Sequence, residues 1–471
     1  MQPLVRLISM LLAASALAAC NSDNTQPDEA STDAFVKSAW VEMGDSNAAI
    51  ARAVSSHATT CPQLSIDGSV QRMTLRAAAG TPAQRATASA AADSKPSAFP
   101  VMSCEATLPA GARRVTLGSR TLPVPKASPQ RVVILADTGC RMKKADNAWQ
   151  ACSDANAWPL ETIAKAAAAL KPDLVLHIGD YHYRENACPA DVAGCQNSPW
   201  GYGWDTWEAD LFKPAATLLA AAPWVLVRGN HEECARAGQG WFRFLDPRGY
   251  SAARSCDEAT NDGNANYSEP YAVAIGADTQ VIVFDSAKAG KAALATTDAQ
   301  FVNYQAQLRT AATLAAKSGV NSIWANHHPI LAFAPIAGAT PAGGNASLLS
   351  VMNATNPTAY YPIGIKLAIH GHVHDFQAVN FSSAHPATIV SGNGGDNLDV
   401  NLPDPFPTAL SPAAGALVDS IAHTSTFGFI VMDRAGASWT YKAMTRDGKL
   451  LTTCTQSGSK LVCDKTGYLA P

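Results

Sequence analysis

The chain has 471 residues, enough to bury a large core and to form more than one domain. Hydrophobic residues make up 47% and charged residues 15%, a balance typical of a folded globular protein. The 35 Lys and Arg nearly balance the 38 Asp and Glu, the formal charge is -3, and no basic stripe indicates nucleic acid as a binding partner.

The first twenty residues have the pattern of an export signal. Arg6 precedes an apolar stretch from Leu7 to Ala19 that is too short to span a bilayer comfortably. The run Leu17-Ala18-Ala19-Cys20 resembles a bacterial lipobox, in which the cysteine becomes the lipidated first residue of the mature chain. An ordinary secretion signal with an unrelated cysteine is the alternative. We therefore expect a signal peptide over 1–20, lipidation of Cys20, and a place in the bacterial envelope, either anchored in the outer membrane or periplasmic. Membrane contact would be through the N-terminal lipid only.

Ten cysteines remain once Cys20 is set aside, and an even number in an exported chain indicates disulfides. None has C-x-x-C spacing, which argues against a thiolate zinc site. The sequence does not determine the connectivity. Pairing neighbours along the chain would give Cys61–Cys104, Cys140–Cys152, Cys188–Cys195, Cys234–Cys256 and Cys454–Cys463.

The N-terminal part of the chain differs from the rest. Residues 21–39 are mostly small and polar at first, which predicts a flexible tether. Short apolar runs at 71–75 and 114–117, bounded by Gly and Pro, predict a small β-rich N-terminal domain over 40–128. Within it, the Ala-, Ser- and Thr-rich residues 80–97 predict a mobile loop. Prolines at 123, 125 and 129 mark the boundary to a second domain over 129–471.

Strands and helices alternate from residue 131 onward. The pattern predicts strands at 131–136, 173–178, 224–227, 281–284, 322–325 and 364–369, and helices at 157–170, 212–221 and 301–318. A final run of strands is predicted at 388–390, 427–432, 438–443 and 449–454. Strands that alternate with helices, followed by a final run of strands, indicate an α/β protein with two stacked sheets.

Five of these strands end in polar motifs. They are Asp137-Thr138-Gly139, Gly179-Asp180-Tyr181-His182-Tyr183, Gly229-Asn230-His231-Glu232, His327-His328-Pro329 and Gly371-His372-Val373-His374. Each motif alone is commonly a cap or a tight turn. Together they offer carboxylate, amide and imidazole ligands without sulfur, and ligands sit at the carboxyl ends of strands in open α/β sheets. This donor set suits iron, zinc or manganese.

The five motifs together resemble the calcineurin-like metallophosphoesterase superfamily and, within it, the purple acid phosphatases. The resemblance covers Asp137 to His374 and implies a four-layer α/β/β/α sandwich. Most members of the superfamily carry Asp-x-His in the first motif, where this chain has Gly139. Purple acid phosphatases also have glycine there and use a tyrosine three residues after the second aspartate as the ligand, a position held here by Tyr183.

The resemblance also implies how the ligands divide between two metal ions. One metal would be held by Asp137, Asp180, Tyr183 and His374, and the other by Asp180, Asn230, His327 and His372, with Asp180 bridging. The metals would be Fe(III) together with Fe(II), Zn(II) or Mn(II). His231 matches the family histidine that contacts phosphate and helps to protonate the leaving group.

The implied activity is hydrolysis of small phosphate monoesters by metal-hydroxide attack, outside the cytoplasm. A phosphodiesterase acting on nucleotides, phospholipid headgroups or cell-wall phosphoesters would use the same site and is the alternative. A non-catalytic surface lipoprotein is a further alternative, against which the complete ligand set argues.

Other polar residues are less specific. His328 either faces the substrate or packs. Arg243 and Arg248 are candidates for binding a substrate anion, with a solvated surface position as the alternative. Glu232 would orient His231, and Asn393-Gly394-Gly395-Asp396 would form the rim of the site.

Overall fold

The computed structural model describes residues 29–57, 59–407 and 409–471. The predicted signal peptide with Cys20, and the first part of the predicted tether, lie outside the described residues. Within these ranges, no helix combines the length and the hydrophobicity that crossing a membrane requires.

Strands dominate the described chain. In chain order they are β1 (Val36–Met43), β2 (Ala49–Ser55), β3 (Gln63–Ile66), β4 (Ser69–Arg72), β5 (Thr74–Ala77), β6 (Met102–Leu108), β7 (Val115–Leu117), β8 (Arg120–Leu122), β9 (Arg131–Leu135), β10 (Met142–Lys143), β11 (Ala148–Trp149), β12 (Leu174–His177), β13 (Trp224–Leu226), β14 (Tyr271–Ala274), β15 (Thr279–Val283), β16 (Asn321–Ala325), β17 (Ala334–Ile336), β18 (Ala339–Ala342), β19 (Ile365–His370), β20 (Phe376–Phe381), β21 (Ala387–Ser391), β22 (Val418–Thr424), β23 (Gly428–Ala435), β24 (Ser438–Thr445), β25 (Leu450–Ser457), β26 (Lys460–Cys463) and β27 (Gly467–Tyr468).

In the described residues helices are fewer than strands, and they lie mainly between the strands of the α/β part. They are α1 (Glu29–Phe35), α2 (Leu160–Ala169), α3 (Trp204–Trp207), α4 (Ala216–Ala221), α5 (Gly238–Phe244), α6 (Asp262–Ala265), α7 (Ala299–Ala315) and α8 (Ala346–Thr355). A π-helical turn, Glu208–Phe212, follows α3 directly. The helix predicted over 212–221 therefore begins only at Ala216, after the turn and Pro214, whose missing N–H and ring disfavour a helix interior.

Two large sheets organise the fold. The first has eleven strands in the order β26-β25-β24-β23-β9-β12-β13-β1-β2-β6-β5, and the second has eight in the order β14-β15-β16-β19-β21-β20-β22-β27. In the first sheet β9, β12 and β13 are adjacent and parallel, and in the second β16 and β19 are adjacent and parallel. Since parallel neighbours end at the same edge, each sheet presents its polar motifs together.

Three hydrophobic layers separate the elements. Residues of both sheets, such as Ile134 and Ile369, form the central core. Helices α2 and α4 cover the outer face of the first sheet through residues such as Ile163, while α7 and α8 cover the second through residues such as Leu308. This arrangement confirms the predicted α/β class and the four-layer α/β/β/α sandwich.

The N-terminal region is β-rich as predicted, but it is not separate from the rest of the fold. Strand β1 pairs in parallel with β13, and β2, β6 and β5 extend the same sheet, while β3, β4, β7 and β8 form a four-stranded sheet of their own. The buried Arg76 donates to the carbonyls of Phe242 at 2.7 Å and Asp246 at 2.8 Å. The predicted boundary at residue 129 is therefore not a break in the packing.

Two other N-terminal expectations also need correction. Residues 29–39 of the predicted tether form α1 and the start of β1. Residues 80–97 have little regular structure, as expected of a loop, but they are tied to the body of the protein. Ala88 donates its N–H to the Ala235 carbonyl at 2.8 Å, and Lys144 donates to Asp93 at 2.7 Å.

Five disulfides are present, and they are the pairs between neighbours along the chain: Cys61–Cys104, Cys140–Cys152, Cys188–Cys195, Cys234–Cys256 and Cys454–Cys463. Three of them begin within five residues of Gly139, Tyr183 or His231, so they brace loops that follow the polar motifs.

Candidate metal centre

The five polar motifs meet between the two sheets. Three follow β9, β12 and β13 of the first sheet, and two follow β16 and β19 of the second. Hydrogen bonds join the two groups directly. The His372 backbone N–H donates to Asp137 Oδ2 at 2.8 Å, and His327 Nδ1 lies 2.8 Å from the Ile178 carbonyl oxygen. Residues more than 140 positions apart in the chain thus share one site.

A first group of donor atoms surrounds the Tyr183 hydroxyl. Tyr183 Oη lies 2.9 Å from both Asp137 Oδ1 and Asp180 Oδ2, and 3.1 Å from His374 Nε2. His374 Nε2 is also 3.4 Å from Asp137 Oδ1. Two carboxylates, a phenol and an imidazole therefore converge on one point.

A second group shares Asp180 with the first. His327 Nε2 lies 3.1 Å from Asp180 Oδ2, and His372 Nδ1 lies 2.9 Å from Asn230 Oδ1. Ligand atoms of Asp180, His327 and His372 all fall within 4.8 Å of one another. The seven residues predicted as metal ligands are thus brought together in two groups that have Asp180 in common.

Backbone contacts leave the ligand atoms aimed into the site. Asp137 uses Oδ2 to accept the His372 N–H, and Asp180 uses Oδ1 to accept the His231 N–H at 2.8 Å. The other oxygen of each carboxylate faces the donor groups. His374 Nδ1 lies 2.7 Å from the Asn397 carbonyl, which directs its Nε2 inward. Such outer contacts fix the ring orientation and tautomer of ligand histidines.

The backbone at the site is strained. Asp137 and Asp180 both have φ of 56°, and His372 has φ of 70°. Non-glycine residues rarely adopt this left-handed conformation, which costs on the order of 1 kcal/mol or more per residue. Three of the seven candidate ligands therefore hold positions that the surrounding fold must enforce.

Gly139 explains why the first motif cannot carry a histidine in this chain. A Cβ atom there would lie 2.7 Å from the Tyr181 carbonyl oxygen, 2.8 Å from the Tyr183 nitrogen and 2.9 Å from Asp210 Oδ2. The loop that carries Tyr183 occupies the space that a side chain would need. The glycine and the tyrosine are thus two parts of one arrangement.

The electrostatic balance favours a cation. Burial disfavours a charged His327 ring, yet the carboxylates of Asp180 and Asp137 outweigh it and raise its pKa to about 9. Burial likewise opposes charge on His374, while Asp396 and Asp137 raise its pKa to about 10. Burial and the two aspartates hold the pKa of Tyr183 well above its usual range. The carboxylates thus create a negative potential that bound cations would neutralise.

The donor chemistry fits a pair of metal ions. His327 Nε2 is buried and lies 3.1 Å from Asp180 Oδ2, but it makes no hydrogen bond of good geometry to a described residue. Leaving such an atom unsatisfied costs about 1–3 kcal/mol, which a metal ligand bond would offset. Oxygen donors predominate in the group around Tyr183, and nitrogen donors are more prominent in the group that holds His327 and His372.

His231 lies beside the candidate ligands and is held by two charged residues. Its Nδ1 is 2.9 Å from Glu185 Oε1, and its Nε2 is 3.8 Å from Asp180 Oδ2. The Arg236 Nη2 atom lies 2.7 Å from both ring nitrogens of His231. Burial, followed by the Arg236 charge, lowers the pKa of His231 to about 3. The roles predicted for His231, contact with phosphate and help in protonating the leaving group, stay predictions.

The sequence predicts that Glu232 orients His231, but in the structure Glu232 supports the ligand loops. Its carboxylate accepts the backbone N–H groups of Asp180 at 3.0 Å, Tyr181 at 2.9 Å, His182 at 3.2 Å and Gly229 at 3.1 Å. Glu185 contacts the His231 ring instead. The Glu232 side chain joins the second and third motifs.

Two further buried carboxylates hold the site, and sequence reasoning missed the first. Asp210, in the π-helical turn, accepts the N–H groups of Tyr183 at 2.8 Å and Cys140 at 3.1 Å. Asp396 donates its N–H to the Asp137 carbonyl at 2.9 Å, and its carboxylate accepts from Arg141. The segment around Asp396 thus lies against the first motif, as predicted for the rim, whereas no local pattern marks Asp210 or Glu185.

The two predicted substrate contacts differ in position. His328 packs its ring 4.2 Å from that of His372, and its Nδ1 lies 3.2 Å from Ser286 Oγ. Arg243 is buried in α5, where it donates to Asp257 at 3.1 Å and lies over the Phe99 ring. None of its described contacts is to a candidate ligand, so the structure gives Arg243 a role in packing.

Comparison with known proteins identifies the family and the fold. A family model for calcineurin-like phosphoesterases matches residues 130–376. The fold is similar to that of purple acid phosphatase PPD1 from yellow lupin (Lupinus luteus) seeds, with a TM-score of 0.53 and 15% identity over 88% of this chain and 73% of that one. It is also similar to the structure of PhoD, with a TM-score of 0.51 and 11% identity over 94% of this chain and 93% of that one. No curated protein sequence gives a match. The chain belongs to the calcineurin-like phosphoesterase family and is a metal-dependent phosphoester hydrolase.

Proposed function

We propose that the chain is a phosphomonoesterase of the purple acid phosphatase type, active outside the cytoplasm with two metal ions. The observation that carries this proposal is the pair of donor groups that share Asp180, one of them centred on the Tyr183 hydroxyl. The close fit of the Tyr183 loop over Gly139 supports the tyrosine-bound type of site.

In this proposal Asp137, Asp180, Tyr183 and His374 hold one ion, and Asp180, Asn230, His327 and His372 hold the other. The phenolate suits Fe(III), and the imidazole and amide donors suit Fe(II), Zn(II) or Mn(II). Two such ions, when bound, make hydroxide available near neutral pH and neutralise charge on the phosphoryl group.

The chain's own residues would position the substrate. His231 lies at the edge of the donor groups with its Nε2 toward Asp180, where it contacts the phosphoryl group in our proposal. Glu185 fixes the ring through Nδ1. In this proposal His231 contacts the phosphoryl group and helps to protonate the leaving group.

The test of this activity compares two chromogenic esters on protein loaded with iron alone, iron and zinc, or iron and manganese. We expect faster turnover of an aryl phosphate monoester than of its bis-aryl diester. Faster turnover of the diester would replace this proposal by the phosphodiesterase alternative. No hydrolysis of either ester in any loading, with less than one metal per chain, would support a non-catalytic surface lipoprotein.

The bridging role of Asp180 has its own test. Asp180→Asn removes a charge shared by both donor groups, and metal affinity depends on deprotonated ligands. We expect elemental analysis to find less than half of the wild-type content of both metals, whereas the exposed control Asp191→Asn retains them. Loss of only one metal would contradict a bridge.

We also propose that the enzyme is anchored to the envelope through lipid on Cys20, within the bacterial outer membrane or facing the periplasm. The five disulfides support an oxidising location. Cys20→Ser should move the protein from the membrane fraction to the soluble fraction without changing its Tm. Retention in the membrane fraction would contradict lipid anchoring.

A further inference from the structure

Arg236 occupies an unusual position for a buried arginine. It is 8% exposed and follows the third motif in sequence. Its Nη2 atom donates to the Glu185 carboxylate and lies 2.7 Å from each ring nitrogen of His231. The guanidinium is thus fixed beside the histidine that we place at the substrate.

The hydrogen-bonding capacity of this guanidinium is largely unused. An arginine has five N–H donors. Nε of Arg236 is buried without a partner, and Nη1 makes no hydrogen bond to a described residue. Burying a charged donor without partners is costly, and such donors are usually satisfied by protein, by ordered water or by a bound ion.

Two short contacts connect Arg236 to the metal centre. Arg236 Nη2 contacts His231 Nε2, and that atom lies 3.8 Å from Asp180 Oδ2. The centroid of the His231 ring also lies 3.9 Å from that of the Tyr183 ring, with the two rings tilted by 45°. The guanidinium therefore lies on the same side of the donor groups as His231, where the phosphoryl oxygens of a substrate would be.

A second arginine near the site, Arg141, is already neutralised. Arg141 lies over the Tyr183 ring, but its guanidinium donates to Asp396 at 3.0 Å and to Asp146 at 3.1 Å. Glu185, the acidic partner of Arg236, also accepts from the Tyr202 hydroxyl at 3.1 Å. Of these two arginines, Arg236 is the one that combines a fixed position at His231 with unused donors.

We propose that Arg236 is a further catalytic residue, which binds the non-bridging oxygens of the phosphoryl group and favours dianionic monoesters over monoanionic diesters. This inference rests on the proposed function. Charge on these oxygens is distributed over the group in the transition state, and a preorganised guanidinium matches it in charge and shape. Glu185 acts as a positioning residue that holds the fork.

The N-terminal region would support this residue. Residues 80–97 bind both loops that form the cluster, through the Ala88 N–H on the Ala235 carbonyl at 2.8 Å and through Asn186 Nδ2 on Ser89 Oγ at 2.9 Å. Ala235 and Asn186 are the chain neighbours of Arg236 and Glu185. The segment thus fixes both partners of the ion pair from outside.

The experiment compares Arg236→Ala and Arg236→Lys with Arg243→Lys in the full-length, metal-loaded protein. Arg243 is a matched control because it is also buried and paired with a carboxylate, Asp257. We expect Arg236→Ala to lower kcat/KM for the aryl monoester by roughly 10²–10³-fold and that for the diester by less than about 10-fold. Arg236→Lys should give an intermediate loss, because it keeps the charge without the fork. Arg243→Lys should leave both values unchanged.

Two readouts separate catalysis from packing. Added guanidinium ion should restore part of the monoester activity of Arg236→Ala, and the inhibition constant of inorganic phosphate should rise by about 10-fold or more in this variant. Equal losses for both esters, with unchanged phosphate inhibition and no rescue, would overturn the inference and leave Arg236 as a structural clamp.

The inference can fail separately from the proposed function. If the wild type hydrolyses neither ester, calorimetric binding of inorganic phosphate to the metal-loaded wild type and to Arg236→Lys still measures the contact. Weaker binding to the variant by about 10-fold or more would support a phosphate-binding Arg236 without the proposed activity. Equal binding would exclude it. Because Arg236→Lys keeps the buried charge, this variant is used for the binding measurement if Arg236→Ala fails to fold.

Discussion

Replacing Gly139 with alanine tests whether the first motif and the Tyr183 loop form one unit. The added methyl group would lie 2.7–2.9 Å from the Tyr181 carbonyl, the Tyr183 nitrogen and the Asp210 carboxylate, where ordinary contact begins at 3.4 Å. Overpacking of this kind costs roughly 1–3 kcal/mol. Breaking the 2.8 Å hydrogen bond from the Tyr183 backbone N–H to Asp210 would add a cost of about 1 kcal/mol. We expect a loss of about 2–4 kcal/mol, or roughly 2–4 °C in Tm for a chain of this length.

The variant should also bind iron more weakly, because the displaced loop carries a ligand. Thermal unfolding at a fixed scan rate measures the first effect, and release of iron to a chelator measures the second. Gly290→Ala is the matched control, since a Cβ there meets no atom within 4 Å. If Gly139→Ala matches this control in both Tm and iron release, the proposed coupling between glycine and tyrosine is wrong.

Three other predictions concern the supports of the fold and site. Glu232→Gln replaces a carboxylate that accepts four backbone N–H groups. We expect metal affinity, measured by metal release to a chelator, to fall by about 10–100-fold. An unchanged affinity would show that the backbone amides find other partners. Replacing both Cys140 and Cys152 with Ser should lower both Tm and metal retention. Removing the Cys454–Cys463 disulfide in the hairpin at the sheet edge should lower only Tm. Equal metal retention in the two variants would refute this distinction. Burial of Asp433 is outweighed by hydrogen bonds from Arg131 and Lys442, which hold its pKa below the usual range. Its contribution is therefore present above the unfolded pKa of about 3.9 and is lost as the pH falls through the folded pKa. At this solvent-screened position Asp433→Asn should cost about 0.5–1 kcal/mol at pH 7, and its Tm deficit should shrink toward pH 3; a constant deficit would contradict the ion pair.

The part of the fold that the sequence predicts well is the part built from local patterns. Apolar runs such as 131–136 and 322–325 correspond to β9 and β16, and the polar residues after them meet as expected. Parallel strands deliver their carboxyl ends to a common edge, so a motif on each strand is enough to predict the meeting. The same reasoning gave the two-sheet architecture.

Long-range pairing was beyond such patterns. Nothing in the run 36–43 indicates that β1 would lie beside β13, nearly 200 residues later, so the N-terminal region was expected to be separate. The pairing depends on a parallel register and on the buried contacts of Arg76 with α5 and the segment after it, which involve residues far apart in sequence.

The supports of the site were missed for a similar reason. Asp210 lies in a π-helical turn and Glu185 in a loop, and neither sits in a motif with a fixed spacing. Their importance arises from burial next to Tyr183 and His231, which only the folded chain shows. A carboxylate in a loop is usually solvated, so its residue type alone carries little information.

The most direct test of the account is the visible spectrum and metal content of iron-loaded protein, measured for the wild type and for Tyr183→Phe. We predict two metals per chain and a visible charge-transfer band in the wild type, because a Tyr183 phenolate would bind Fe(III). The band should disappear in Tyr183→Phe, which keeps the ring but lacks the ligand oxygen. Colourless wild-type protein with iron bound, or an unchanged band in Tyr183→Phe, would contradict the tyrosine-bound metal centre.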